Sequence, residues 1–424
     1  MSKKANNKAN SDSTKTIGSL TKVSSNSNVK IRVIEEEKIN DTYNNYLILG
    51  IKGEKINNVI LNTLRRVIME LIPVYSFDKK DIDITKNTSI YNNDYMRLRL
   101  CQYPIFGIDN DIVTIERSNE LEYEANLSTF EKQIEDLNVI EEKERIIKAE
   151  KSQNFIMSVN VKNTTSQVYN VTTDDENVKF YYKGKITESP YKRPLLIIKL
   201  KPGEEFRCTA TSTLNIGLKG ANCLPNSVCV FTQPTTDTTD TTDTTDSVAS
   251  TNSANATPGE YRFILESLKQ LSEKEIIIRA CTLIDIKLNN FLQVITNKIM
   301  EYKSDKIQDE YNLDNTKIKS ETESDSITES AIRNSSDVVL EQHRVKGIIK
   351  IENESHTFGN LLSNFLQNHN ATLFAGYNID HLLIKELTIG YKTDGTDIIE
   401  IFNDIILSAK MIFKNIKEEV EKLN

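Results

Sequence analysis

Two stretches of the chain carry apolar residues at helical spacing. After Ser272 they fall at Ile277, Cys281, Ile284, Leu288, Phe291 and Ile295; after Thr396 they fall at Ile398, Phe402, Ile405, Ala409, Ile412 and Ile416. Steps of four and three alternate in both, a period that predicts two long helices. A flanking apolar column (Ile399, Ile406, Phe413 and Val420 in the second helix) makes each stripe wider than one strict seam. Two readings fit that width: each helix covers its own sheet, or one column covers the sheet while the other meets the second helix. Ser272-Glu-Lys-Glu275 predicts a capping box at the start of the first helix. Thr396, after Gly395, is the expected N-cap of the second.

A shorter helix is predicted over Ile56–Leu71, with Ile56, Val59, Ile60, Leu64, Val67, Ile68 and Leu71 on one stripe and Pro73 ending it. Strand patterns precede it at Val29–Val33 and Tyr46–Ile51. They resume at Phe155–Val161, Lys179–Tyr182 and Leu195–Thr211, where Lys201-Pro-Gly-Glu204 supplies a turn between two strands. Residues 106–231 therefore read as a β-rich module. Within it 116–151 is helix-favouring, with eleven acids and six bases, and reads as a solvent-facing insertion.

Three polar tracts divide the 424 residues. Residues 1–28, with five Lys, read as a disordered arm. Residues 232–258 contain four Thr-Thr-Asp triplets and read as a low-complexity loop. Residues 303–337, with nine acids and five bases, read as a linker. The formal charge of −8 speaks against a protein that coats nucleic acid, and no apolar run is long enough for a membrane helix. Without an apolar stretch in the N-terminal arm, a soluble intracellular protein is expected.

Candidate chemistry is sparse. The five Cys (101, 208, 223, 229 and 281) form no C-x-x-C pair, so no zinc ribbon or disulfide framework is read from them. The four His (343, 356, 369 and 381) lack partners at ligand spacing. Of these, His356 is expected to cap or pack at the start of a short helix. Asp81-Ile-Asp83 places two carboxylates on one strand face beside Lys79 and Lys80, without a third ligand. Arg65-Arg66 is either a solvated basic face or an anchor for acids on a partner.

The chain also repeats itself. Val59-Ile-Leu-Asn-Thr-Leu-Arg-Arg-Val67 and Thr357-Phe-Gly-Asn-Leu-Leu-Ser-Asn-Phe365 align, with Asn62 on Asn360 and Leu64 on Leu362. Each follows a strand and leads toward a long helix. Asn62–Pro73, Asp81–Ile90, Asp94–Leu100 and Ile197–Phe206 resemble the third-largest-type α-like assembly subunit of multisubunit DNA-dependent RNA polymerase. Glu354-Ser-His-Thr-Phe-Gly-Asn-Leu-Leu362, Leu373-Phe-Ala-Gly-Tyr377 and Thr393-Asp-Gly395 resemble its small partner. In most relatives these are two proteins; here they share one chain, and the fusion and low-complexity tracts look like a polymerase of a large cytoplasmic DNA virus.

The resemblance implies an α+β fold of two α-like dimerisation units, each a sheet plus a long helix, paired pseudo-symmetrically. The first would span 29–105 and 259–302 with 106–231 inserted, and the second 338–424. It implies a pairing surface at Ile277, Ile284, Leu288, Phe291, His356, Phe358, Gly359, Asn360, Phe402, Ile405 and Ile412, and large-subunit contacts at Asn62, Leu64, Arg65 and Arg66. The expected partners are the two large polymerase subunits and the small zinc-binding subunits that accompany this type, with DNA met only indirectly and no membrane. No catalytic residue or cofactor is expected here, the Mg²⁺ belonging to the catalytic large subunit. Location would be the host cytoplasm and the virion. Two other classes stay open: a nucleic-acid-binding α+β protein, and a hydrolase using Cys or His. A flexible 35-residue tether would hold its ends at about millimolar effective concentration.

Overall fold

A computed structural model describes residues 29–37, 45–106, 155–233, 259–268, 270–317, 345–352, 354–379 and 386–423. The arm 1–28, the charged insertion 116–151, most of the threonine-rich loop, 318–337 of the linker and 338–344 at the start of the expected second unit lie outside these residues.

The chain begins with β1 (Lys30–Glu37), β2 (Asn45–Lys52) and α1 (Asn58–Leu71). A second group follows: β3 (Val74–Asn87), α2 (Asn93–Leu100), β4 (Phe155–Lys162), β5 (Tyr169–Thr172), β6 (Val178–Tyr182), β7 (Lys185–Thr187), β8 (Leu196–Leu200) and β9 (Glu205–Asn215). β10 (Asn226–Thr232), β11 (Tyr261–Ser267) and α3 (Glu273–Lys317) come next. The last group is β12 (Val345–Glu352), α4 (His356–Gln367), β13 (Thr372–Ile379), β14 (Glu386–Thr393) and α5 (Ile398–Glu421).

The strands form four antiparallel sheets, ordered β1-β2-β11-β10, β12-β14-β13, β3-β9-β4-β6-β7 and β5-β8. The first two share a plan. In each, the strand before the short helix (β2 or β12) pairs with the strand before the long helix (β11 or β14), which pairs in turn with the remaining strand (β10 or β13). β1 adds an outer edge to the first sheet. β2 is apolar without alternation, Leu47, Ile48, Leu49 and Ile51 all being at most 2% exposed. Both of its faces are therefore shut off from water. On its outer face Gly50 leaves room for Glu260, whose carboxylate receives two Arg32 hydrogen bonds at 2.7 and 2.6 Å.

One apolar cluster joins residues of both plans, from Val29, Leu64 and Ile68 through Ile284 and Phe291 to Phe358, Phe402 and Val420. A second cluster, from Tyr75 to Ile216, is confined to the β-rich segment. That division moves the expected boundaries. β3 and α2 belong with the β-rich core and not with 29–105, because Phe77, Met96 and Leu100 pack there. β10 returns to the first sheet, so the module ends before Asn226 and not at 231, and Cys229 lies in the shared core.

Other expectations change in detail. The strands flanking Lys201-Pro-Gly-Glu204 enter different sheets, β8 pairing with β5 and β9 with β3 and β4. Gly203 takes φ +83° in the turn between them, where a side chain would be strained. The capping box is half formed: Ser272 Oγ accepts from Glu275 N at 3.2 Å, while the Glu275 carboxylate receives Arg279 instead. α5 is capped by Asp397, not Thr396, with Oδ1 accepting from Ile399 N at 3.2 Å. α3 carries residues 303–317 of the expected linker as helix.

Candidate functional site

The two short helices and two long helices meet in the shared core. α1 and α4 start alike, at positions the repeat aligns. Asn57 Oδ1 accepts from Ile60 N at 3.0 Å and Ser355 Oγ from Thr357 N at 3.4 Å, each satisfying a first-turn amide. Inward positions match too: Ile60 and Phe358, Leu64 and Leu362, Ile68 and Leu366 are all at most 1% exposed. The helices touch through Asn57 Nδ2, which donates to Asn364 Oδ1 at 3.4 Å.

The long helices run antiparallel. Lys274 Nζ donates to the Leu423 carbonyl at 2.7 Å, Lys417 Nζ to Thr282 Oγ1 at 3.1 Å, and Lys410 Nζ to Asn289 Oδ1 at 2.8 Å. Partner numbers thus fall on α5 as they rise on α3. Lys410 also lies 3.3 Å from Asp285. Deeper in the seam, Lys287 pairs with Glu354 at 3.2 Å and sits 5.0 Å over the Phe358 ring, which packs against Phe291 at 5.3 Å between centroids.

Of the expected pairing residues, Ile277, Ile284, Leu288, Phe291, Phe358, Phe402, Ile405 and Ile412 are all in this core and at most 3% exposed. His356 and Gly359 are not seam residues. His356 is exposed and lies edge-on to Tyr377 of its own sheet, 5.9 Å between centroids, while Ser355 does the capping. Gly359 is buried against that sheet too: a Cβ there would stand 2.6 Å from Leu387 Cδ1 and 2.7 Å from the Tyr377 ring. Asn360 is half-buried on α4. The polar seam residues Lys287, Lys410 and Lys417 escaped the pattern search, although each directly follows or precedes an apolar seam position and the last two are seven residues apart, the spacing of flanking charges on paired helices.

On the outer side of α1, Leu64 is fully buried and packs in the core, so it is unavailable as a surface contact. Asn62, Arg65 and Arg66 are half-buried. Arg66 is held by Glu70, with Nε and Nη2 donating to Oε1 at 2.9 and 2.7 Å. Arg65 differs. Its Nε donates to Asn62 Oδ1 at 3.1 Å and its Nη1 contacts Met69 Sδ at 3.3 Å, and among the described residues no carboxylate pairs with it. Asn62 thus orients a guanidinium whose charge is left for another group.

Elsewhere little chemistry converges. A cavity of about 430 Å³ opens between Arg99, Gln102, Tyr103, Phe106, Leu196 and Leu268. Its main polar groups are already engaged, Arg99 donating to the Leu196 and Ile197 carbonyls and Tyr103 Oη to Leu196 at 2.7 Å. All five Cys are buried and unbonded to one another. Burial pushes the thiols of Cys208, Cys229 and Cys281 up to about 12, so none is a ready nucleophile. Asp81 accepts from Thr213 Oγ1 at 3.1 Å, which ties it into the sheet. Among the described residues no three His, Cys, Asp or Glu side chains gather as a metal site, and no helix is long and apolar enough to cross a membrane.

Residues 346–419, covering the last sheet and most of α5, match the family model of the RNA polymerase Rpb3/Rpb11 dimerisation domain. Over 403 residues, 93% of this chain and 94% of the other, the chain is 24% identical to a protein of Acanthamoeba polyphaga mimivirus named as a DNA directed RNA polymerase subunit. Over 76 residues it is 34% identical to the DNA-directed RNA polymerase subunit Rpo11 of Metallosphaera sedula, covering 84% of that protein and 18% of this one.

Proposed function

Because the chain belongs to the α-like, Rpb3/Rpb11-type subunits of DNA-directed RNA polymerase, we propose that it is two such subunits fused into one assembly platform. The first unit is β1, β2, α1, β10, β11 and α3, interrupted by the β-rich module; the second is β12 through α5. The two pair about a pseudo-two-fold axis, and the joined surface gathers the two large catalytic subunits without itself reacting. The observation that carries this reading is the single core shared by α1 and α3 with α4 and α5. Elements of the two repeats bury one another there, as the halves of an obligate dimer do.

Fusion makes an association step intramolecular. With ends at about millimolar effective concentration, against separate subunits near micromolar, the gain is about 4 kcal/mol. The Mg²⁺ of catalysis belongs on this reading to the catalytic large subunit, and small zinc-binding subunits complete the assembly in the host cytoplasm and virion of a large DNA virus.

Arg65 on α1 is the proposed anchor for a carboxylate of a large subunit, since a guanidinium forms two directed bonds to such a group. Purification through a tag on this chain should bring down two chains above about 100 kDa, the size of the large subunits this reading requires. Arg65→Ala should lower their recovery about tenfold, corresponding to about 1.4 kcal/mol, while leaving the monomer's melting temperature unchanged. Equal recovery with the variant would remove Arg65 from the docking surface, and absence of both large chains from the wild-type preparation would overturn the reading.

A further inference from the structure

The outer face of the β12-β14-β13 sheet is built in rows that no linear motif contains. Cross-strand pairing aligns Lys346, Lys392 and Phe374 in one row, Ile348, Gly390 and Gly376 in the next, and Lys350, Thr388 and Asn378 in the third. The opposite face points into the shared core through Ile349, Ile351, Leu387 and Ile389. On the outer face Ile348 is 70% and Phe374 64% exposed. The middle row has a glycine floor. A Cβ on Gly390 would meet nothing within 4 Å, and one on Gly376 would meet only the Phe374 ring, at 3.6 Å. The result is a shallow trough with an aliphatic end, an aromatic wall and lysines on both sides.

Charge on this face is sorted by rows: Glu352 and Glu386 pair in the end row beyond Lys350, and Lys346 and Lys392 face each other at the opposite end. Lys350 is held by Glu386 at 2.6 Å, but among the described residues Lys346 and Lys392 have no carboxylate partner. An exposed aromatic and an aliphatic side chain rimmed by uncompensated cations is the anatomy of a protein contact: an apolar anchor site inside a polar rim. Nucleic acid is the poorer occupant. Two available lysines neutralise about two phosphates, for a salt slope near −2, where duplex-binding proteins commonly engage about 6–10. A single ring also makes a short stacking platform.

We propose that this trough docks an acidic segment of another polymerase subunit, one bulky apolar side chain of which enters between Ile348 and Phe374 over the glycine floor while flanking carboxylates meet Lys346 and Lys392. The inference rests on the assembly function above and adds to it a second docking surface, on the second unit and separate from Arg65.

The test uses polymerase isolated through a tag on this chain, with p-benzoylphenylalanine introduced at position 374 as a photo-crosslinker. The expected result is a crosslink to one other polymerase subunit, at a peptide with an apolar residue flanked by Asp or Glu. The triple variant Phe374→Ala, Lys346→Glu, Lys392→Glu, all at solvent-facing positions, should lower recovery of that same subunit about tenfold without changing the melting temperature. A crosslink to nucleic acid or to a basic peptide, or no crosslink in a preparation that still contains the large subunits, overturns this inference and leaves the assembly function standing. A preparation without any other polymerase subunit overturns both.

Discussion

α1 and α4 begin as the same helix and end as different ones. Their caps coincide, and their inward residues are equally buried. Outward they part. Where α1 has Arg65, half-buried and without a carboxylate among the described residues, α4 has Ser363, only 4% exposed; where α1 has Arg66, α4 has Asn364, which receives the Asn57 side chain. Leu61 of α1 corresponds to Gly359 of α4, where the sheet comes too close for a side chain. The two helices share the residues that make them pack and differ where each meets something different. α1 retains an outward charge, while α4 is pressed more closely onto its own sheet and the first unit.

The most damaging way to break this comparison is at the seam that both helices depend on. Ile284 and Ile405 are 0% and 3% exposed in the shared core. Ile284→Asp or Ile405→Asp would bury an unpaired carboxylate and cost more than about 4 kcal/mol. Size-exclusion chromatography should show loss of the compact monomer, and thermal unfolding a lost or strongly lowered transition. Wild-type melting of both variants would mean that the two units do not share a core.

A smaller change asks whether the short helices are interchangeable. Ser363→Arg places on α4 the residue α1 carries at the aligned position, but in a site with almost no access to water. It should cost about 2–4 kcal/mol, since a buried charge without a partner is compensated only by local rearrangement. The counterpart Arg65→Ser removes a half-exposed side chain and should change stability by less than about 0.5 kcal/mol, its effect falling on recovery of the large subunits. Chemical denaturation of both variants compares them directly. Equal losses would show that the outer faces are alike in spite of their sequences.

This contrast also marks what the sequence could disclose. The buried columns of α3 and α5 were legible because period and burial have one cause: a helix face that excludes water must repeat every three or four residues. The repeat around Asn62 and Asn360 was legible for the same reason. Lys287 was not, because a lysine beside a seam reads as solvated until Glu354, 67 residues away, and the Phe358 ring arrive to hold it. His356 and Gly359 were misassigned to the seam because a short motif shows which residues cluster but not which side each one faces. The module boundary failed for a related reason. β3 is a good strand for either sheet, and only its partner β9, more than a hundred residues later, decides between them. The trough of Lys346, Ile348 and Phe374 lies across three strands and has no linear signature at all.

Acid provides the gentlest separation of the two units. Burial opposes ionisation of Asp78, but the Lys219 ammonium, 2.8 Å away, together with the Lys80 backbone N–H and ammonium, holds its carboxyl below the usual range. The Glu205 carboxyl is likewise held down, chiefly by Lys86 at 2.7 Å and further by Arg207. Both lie in the β-rich module. In the second unit Asp394 is lowered by its hydrogen bonds from the Thr396 hydroxyl and N–H, just ahead of α5. A carboxyl with a depressed folded-state pKa binds fewer protons folded than unfolded, so its stabilisation is present in full above the ordinary carboxylate value of about 4 and is lost as pH falls from there through the lowered one. Below about pH 4, hydrogen exchange should therefore quicken in β3, in β9 and around the start of α5 before it does in α1. The α1 amides, tied to a core almost wholly apolar, should respond to acid less than those of the module. Simultaneous exposure of all three at one pH would show that the module, the second unit and α1 open as a single cooperative body, and that the difference between the copies is confined to their surfaces.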